Sequence, residues 1–442
     1  MPNHNQFKLL KENRFLPFFI TQFLGAFNDN VFRNGLIIAI TFKGIDVFGL
    51  EANQLANVAG ALFMLPYFLL SANAGQFSDK YEKSGLMRII KLSEIILMIF
   101  ATIAFINNLY SILFVILFLM GCQSTFFGPV KYSYLPQNLK KSELIGGNAL
   151  VESGTYIAII LGLIIGGTTI ALGGYVWPLS LIGLAILGYI ASKMIPITPA
   201  VDPELILNWN NWLETKKIMH FAKNDNEIFI AIMGISWFWL YGAAMTMQVP
   251  AYTLEILNGN EKITTILLAG FAIGVGIGAL ICEKLSKRKI EIGLVPIGSI
   301  GLSLFTIDLW VSQPESYTTV VNTTYEFFQR SGSFRIIIDI ILIGAFGGLF
   351  SVPLYAFIQT KSPKNHLSRI IAANNIFNSL FVVSASIIAI ILLNLEFSIP
   401  EVLLVFAIMN IIFAIIIYSL MPKFLTQTKL WWKNLFNKEE SI

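Results

Sequence analysis

The stretch Phe15 to Phe42, FLPFFITQFLGAFNDNVFRNGLIIAITF, decides how the rest of the chain is read. It is long and apolar enough to cross a hydrocarbon layer about 30 Å thick as a helix. Its middle nevertheless holds Asn28, Asp29, Asn30, Arg33 and Asn34. A charged side chain at a helix centre costs about 2.5 to 3.5 kcal/mol on insertion scales, so Asp29 and Arg33 would cost roughly 5 to 7 kcal/mol facing lipid. At i,i+4 spacing both leave the same helix face, where they are expected to pair and to look into a wet interior. A buried pair that only locks neighbouring helices is the competing reading. A functional polar site is the stronger one.

Working outward, the 442 residues are 55% hydrophobic and only 13% charged, whereas soluble domains carry about a quarter charged residues. This composition excludes a soluble globular protein. Apolar runs of about 20 residues alternate with short polar joints, the pattern of a helical bundle rather than of a membrane barrel. The first run is too long and too polar at its centre for a cleaved signal peptide. Cys122 and Cys282 fall inside or at the edge of apolar runs and read as small apolar fillers. No disulfide framework, metal or cofactor is expected, and no nucleic-acid partner.

Hydropathy windows place spans near 16–41, 54–75, 86–106, 109–129, 147–171, 175–195, 228–254, 263–282, 292–310, 334–357, 370–393 and 401–420. The result is an all-α membrane protein of twelve helices. With both termini cytoplasmic, the basic residues collect inside, among them Lys8, Lys80, Lys83, Arg88, Lys91, Lys216, Lys217, Lys284, Arg288, Arg369, Lys423 and Lys438. Only Lys43, Lys262, Arg330 and Arg335 fall outside, as the positive-inside rule requires.

The longest inside joint divides the spans six and six. The expected organisation is therefore a bundle over 1–196, a linker over 197–226, a second bundle over 227–421 and a tail over 422–442. In the linker, Leu205, Trp209, Trp212 and Leu213 recur at helical spacing beside Lys216 and Lys217, which suits a helix on the inner leaflet. The halves echo each other: GGNALVES at 146–153 matches AANNIFNS at 372–379, and Pro129 matches Pro353. Parallel six-helix repeats with a site near the midplane are how major facilitator transporters are built.

After the second span, Gly75-Gln-Phe-Ser-Asp79-Lys80-Tyr-Glu-Lys83 resembles the G-x-x-x-D-[RK] loop of that superfamily. Asp79 can sit against the positive N-terminal end of the eleventh span, near Arg369, as a latch; Gly75, Asp79, Lys80 and Lys83 are the gating candidates. Binding candidates beyond the first span are Asn148 and Glu152 in span 5, Trp237 and Tyr241 in span 7, and Asn374, Asn375 and Asn378 in span 11. Trp237 and Tyr241 serve equally well as packing residues. Glu94 and Asp339 read as structural groups near helix ends, where reaching water is cheap. Gly270, Gly274 and Gly278 in span 8, and Gly162 and Gly166 in span 5, form small-residue faces expected to meet across the halves. His220 to Asp225 spells the H-x-x-x-x-D of glycerolipid acyltransferases, but no domain to hold a thioester surrounds it. The chain is not expected to be an enzyme.

Gln22 to Phe32, QFLGAFNDNVF, makes the resemblance specific, together with Gln76–Lys83, Phe127–Tyr132, Gly146–Glu152, Ile235–Trp239, Pro353–Gln359 and Ile371–Asn375. These stretches are similar to the bacterial lysophospholipid transporter family, a branch of the major facilitator superfamily. The resemblance implies movement of lysophosphatidylethanolamine and related lysolipids from the outer to the inner leaflet of the bacterial inner membrane. It also implies a possible acyl-ACP-dependent acyltransferase partner on the product side. Pro422 to Phe436 looks like the junction at which some relatives carry that enzyme. The alternatives are a major facilitator exporter of small amphiphiles such as drugs or siderophores, and a transport-inactive scaffold for an acyltransferase.

Overall fold

The computed structural model of the protein describes residues 6–43, 52–287, 289–313 and 323–436. The first six long helices are α1 (Leu16–Lys43), α2 (Ala52–Lys80), α3 (Lys83–Ile106), α4 (Tyr110–Asn138), α5 (Leu144–Ala171) and α6 (Val176–Lys193). A shorter α7 (Asn211–Asn224) follows, then α8 (Asn226–Ala251), α9 (Glu261–Leu285), α10 (Leu294–Val311) and the short α11 (Thr324–Gln329). The chain closes with α12 (Ser333–Lys361), α13 (Leu367–Asn394), α14 (Ile399–Leu420) and α15 (Lys423–Phe436). The expected spans map one to one onto the long helices. Among the described residues, eleven of these are apolar as well as long enough to cross a membrane. In α1, also 28 residues long, the central amides and charges pull the mean hydropathy down.

Helices continue where the hydropathy windows stop, because a window sees the apolar run and not the polar turns that extend it. The stretch Gly75–Lys80 therefore forms the last turns of α2 instead of a loop, and only Tyr81 and Glu82 separate it from α3. Glu82 starts α3 by accepting the backbone N–H groups of Ser84 and Gly85 at 2.8 and 2.6 Å. The linker also differs. Its helix begins at Asn211, with the Asn210 side chain accepting Leu213 N–H at 3.0 Å, so Leu205 and Trp209 lie in an extended strap before it. Arg288 and Lys438, counted among the inside cations, lie outside the described residues.

The helices group into two compact units. One comprises Met1–Lys140, Ile157–Asp225 and Lys361–Ser379; the other comprises Lys141–Tyr156, Asn226–Thr360 and Leu380–Ile442. Each of α5 and α13 thus gives one half to each unit. In the first unit, Trp177 of α6 is buried and donates its indole N–H to Val31 O at 3.1 Å. Its ring stacks on Phe32 with centroids 5.7 Å apart. Gly35 makes this possible, since a Cβ there would collide with the indole.

In the second unit, Cys282 lies in a core cluster with Ala279, Leu349, Val352 and Trp431. The glycine faces are occupied inside the units. Gly274 and Gly278 pack against the backbone of Ile341 and Ala345 in α12, while Gly162 and Gly166 of α5 pack against Asn30 and Val31 in α1. Each face closes a helix crossing within its own unit. Small residues let backbones approach where no apolar driving force exists in lipid. Gly278→Ala is expected to destabilise the protein by about 1–3 kcal/mol, because a backbone carbonyl cannot move aside. Gly60→Ala, which meets nothing within 4 Å, serves as the control: its thermal unfolding midpoint in detergent should hold or rise while that of Gly278→Ala falls.

Candidate functional site

The polar middle of α1 sits in a network that draws in α3 and α4. Glu94, in the middle of α3, is fully buried. Its Oε1 accepts Asn28 Nδ2 at 2.8 Å, and its Oε2 accepts Lys91 Nζ at 2.5 Å and Gln123 Nε2 at 3.0 Å. Lys91 is as deeply buried as its partner. Its stem passes Gly188 of α6 and its ammonium lies against Gly25 of α1, where a Cβ would strike it. Three donors on one carboxylate are what a charge needs when water is absent.

Asp29 and Arg33 do not form the expected ion pair. Asp29 Oδ2 accepts the Ser124 hydroxyl of α4 at 2.7 Å, and its Oδ1 is buried without a hydrogen-bond partner. Arg33 Nη2 donates to Asn30 Oδ1 at 2.9 Å, and Asn30 Nδ2 donates to Ala26 O at 2.7 Å. Lys91, Glu94 and Arg33 are the charged neighbours of Asp29. Each charge is thus held by a neutral side chain rather than cancelled by the other. Asn34 is half-buried one residue on.

The α2 end and the start of α13 form a second cluster. Arg369 Nε donates to Asp79 Oδ2 at 2.9 Å, and its Nη2 lies 3.8 Å from Asp202 Oδ2 of the strap. Asp79 is fully buried. Ser78 joins it by donating to Ser368 Oγ at 3.1 Å, and Lys83 is turned inward, donating to Ser78 O at 2.9 Å. Gly75 is required by close approach, since its Cβ would stand 2.9 Å from Ala372 Cβ and 3.1 Å from Arg369 Cα. Lys80 stays half-buried over the Tyr81 ring at 5.9 Å.

The strap is bound to the same helix end. Val201 and Asp202 donate their backbone N–H groups to Asp79 O, both at 3.0 Å. The Gln76 amide donates to Asn208 O at 3.1 Å and accepts Asn208 N–H at 2.8 Å. Partial burial pushes the Glu82 carboxyl up, but N–H donors from Thr198, Ser84 and Gly85 and the Ser84 hydroxyl outweigh it and hold its pKa below 4.5. Burial, then the charge of Arg369, pushes the His366 pKa below 6.5, so this ring, stacked on Phe221 with centroids 4.7 Å apart, is neutral at pH 7.

In the second unit, Asn148 and Gln359 exchange two side-chain hydrogen bonds of 2.6 and 3.0 Å. Glu152, one turn on, is buried beside Tyr156, with Tyr355 near the same tyrosine. Trp237 and Tyr241 are not gathered there. Trp237 Nε1 donates to Asn410 Oδ1 at 2.7 Å and its ring stacks on Phe413 at 4.3 Å. The Tyr241 hydroxyl bonds Thr306 Oγ1 at 2.6 Å in α10. Both therefore pack α8 onto α10 and α14. Trp239, on the other side of α8, instead donates to the Tyr355 hydroxyl at 3.1 Å. In the first unit, Asn374 is fully buried with neither amide atom hydrogen-bonded, and Asn375 Nδ2 is buried without a partner close to Gly128. Asn378 is half-buried.

Lys91, counted above with the cytoplasmic cations, and Glu94, expected to reach water near a helix end, are instead buried against each other, while Gln123, Ser124 and Trp239 were not among the candidates. Lys-x-x-Glu at i,i+3 inside an apolar run was the available signal: two opposite charges on one face at that depth are cheap only as a pair. Asp339 lies within two turns of the start of α12, as expected, but its side chain is buried instead of reaching water, beside the Asp308–Arg335 ion pair.

A family model described as Major Facilitator Superfamily matches residues 18–322. The chain belongs to that superfamily and is a multi-pass membrane transporter. Among curated proteins it is similar to the lysophospholipid transporter LplT of Cronobacter sakazakii, 26% identical over 355 residues, covering 78% of this chain and 80% of the relative. The lysophospholipid transporter LplT of Escherichia coli O157:H7 is 26% identical over 352 residues, with the same coverage of 78% and 80%. Among solved structures, the human organic anion transporter MFSD10 aligns with a TM-score of 0.71 at 10% identity, over 92% of this chain and 99% of its own. FucP in its outward conformation aligns with a TM-score of 0.68 at 11% identity, over the same shares of 92% and 99%. At such identities the structures speak for the fold alone.

Removing one partner of the buried pair leaves a bare charge in low dielectric. Lys91→Met or Glu94→Gln alone is expected to cost about 3–5 kcal/mol, and the double variant less than the sum. Thermal unfolding of the four proteins in one detergent checks this; additive losses would mean that the two side chains act independently. Acid gives a second check. The depressed Glu82 pKa means a stabilisation present above pH 4.5 and lost as pH falls through the folded-state value. Glu82→Gln should therefore unfold more easily than wild type at pH 7 and differ less from it at the acid end of the range.

Proposed function

We propose that the chain carries lysophosphatidylethanolamine and related lysolipids, unchanged, from the outer to the inner leaflet of a bacterial inner membrane, with both termini cytoplasmic. The observation that carries this reading is the separation of charges on α1. Arg33 is held by Asn30, and Asp29 by Ser124, with one carboxylate oxygen left without a partner. A head group with one phosphate and one ammonium is complementary to such a split pair: guanidinium to phosphate, carboxylate to ammonium. Two charges already cancelling each other would have little to offer it. The names of the relatives support the same substrate class.

In this reading Asn34, Asn374, Asn375 and Asn378 of the first unit offer further polar contacts to the head group. The Asn374 amide, with both polar atoms unpaired, is poised to exchange partners. Trp237 and Tyr241 hold α8 in place instead. The Asp79–Arg369 bond and its strap close the inner end, with Gly75 permitting the close approach and Lys83 supporting the turn. A lysolipid delivered inside is a substrate for reacylation by an acyl-ACP-dependent acyltransferase.

Uptake of labelled lysophosphatidylethanolamine by spheroplasts lacking their own transporter tests the reading. Wild type should import it. Asp29→Asn and Arg33→Lys should each lose about tenfold or more, the weight of a charge-assisted contact of about 1.5–3 kcal/mol. No import by the inserted wild-type protein would sink the substrate assignment, and full import by both variants would move the site elsewhere. Asp79→Asn should raise the labelling of cysteines placed along the inner half of α13 by a water-soluble thiol reagent; unchanged labelling would remove the latch.

A further inference from the structure

A groove of ≈ 770 Å³ runs along the second unit between α10 and α14 and continues onto α15. Its walls include Ile300, Leu304, Ile411 and Ile415, all exposed, and apolar surface on membrane helices faces hydrocarbon. From Pro296 to Ile307 it follows α10 for about 16 Å at 1.5 Å per residue. That is about half of a 30 Å hydrocarbon core, the depth of one leaflet.

Two features set this groove apart from an ordinary gap between helices. The first is Tyr418, two residues before the end of α14 and 9% exposed. Its hydroxyl lies beside Ser299 and makes no hydrogen bond of ordinary geometry. Tyrosine at a helix end sits at the membrane interface, where lipid ester carbonyls offer acceptors. The second is α15, which has no acidic residue and is fastened at the mouth of the groove. Trp431 Nε1 donates to Leu285 O and Thr428 Oγ1 to Gly293 O, both at 2.8 Å. Gly293 leaves room for the contact, since a Cβ would stand 2.6 Å from Gln427 C. With that register fixed, Leu425 in the groove lies on the same helical face as Lys429, Trp432 and Lys433 at i+4, i+7 and i+8. All four are exposed.

We propose that this groove binds an anionic glycerophospholipid of the surrounding bilayer. One acyl chain lies between α10 and α14, an ester carbonyl accepts the Tyr418 hydroxyl, and the phosphate rests against Lys429 and Lys433. The positive-inside orientation puts this lipid in the inner leaflet. Because the groove belongs to the second unit alone and opens onto its lipid-facing side, the bound lipid is a resident one, distinct from the transported substrate.

Native mass spectrometry of the full chain, released from nanodiscs containing equal phosphatidylglycerol and phosphatidylcholine, tests the site. Wild type should retain one phosphatidylglycerol with a preference of about 30-fold, the weight of two surface lysines. Lys429→Ala with Lys433→Ala should bring that preference close to one while lipid is still retained. Tyr418→Phe should weaken retention of both lipids alike, by about 2- to 10-fold. Ala414→Trp, which fills the groove, should abolish retention. Undiminished phosphatidylglycerol on folded Ala414→Trp would overturn the proposal, and so would a preference that survives loss of both lysines. The lysine variants alter only exposed positions, so they decide the question even if the tryptophan disturbs folding.

Discussion

The cost of a charge away from water governs this structure. A bare carboxylate or ammonium at the level of Glu94 or Lys91 is not sustainable, so the chain builds a shell around the pair: an amide from α1, another from α4, and two glycines that let the lysine through. The positions of α1, α3 and α4 are thereby tied to one carboxylate. Greasy packing in lipid lacks the directionality to do this, because hydrocarbon tails compete with leucines for every apolar surface. The same shell leaves two charges of α1 outside it: with Glu94 saturated and Asn28 spent on it, Asp29 turns to Ser124 and Arg33 to Asn30.

Backbone proximity is the second constraint, and glycine supplies it in different ways. Gly274 and Gly278 press α9 onto α12, Gly162 and Gly166 press α5 onto α1, and Gly75 lets α2 approach α13 closely enough for Asp79 to reach Arg369. The first two contacts bring backbone against backbone. At the third, the adhesive is an ion pair and a strap of hydrogen bonds, interactions that water can replace one at a time. Contacts built that way part without breaking a core.

The echo between the halves is informative because it is imperfect. Asn148 and Asn374 occupy matching places in GGNALVES and AANNIFNS. Asn148 is locked to Gln359 by two hydrogen bonds, while Asn374 keeps both amide atoms unpaired. A buried amide without partners is costly. The two matching positions therefore differ in what satisfies them, not in residue type.

What the sequence by itself determined is the membrane setting, the all-helical architecture and the presence of costly polar groups in the middle of α1. These follow from composition, from run length and from the local expense of polar groups, all of which are properties of consecutive residues. Only the tertiary structure decided the partners. That Arg33 turns to Asn30 and Asp29 to Ser124, that Lys91 and Glu94 form the buried centre, that Trp239 rather than Trp237 faces Tyr355, and that each glycine face closes inside its own unit depend on helix rotation and crossing. Those are set by contacts between residues a hundred or more positions apart, which no window along the chain can weigh.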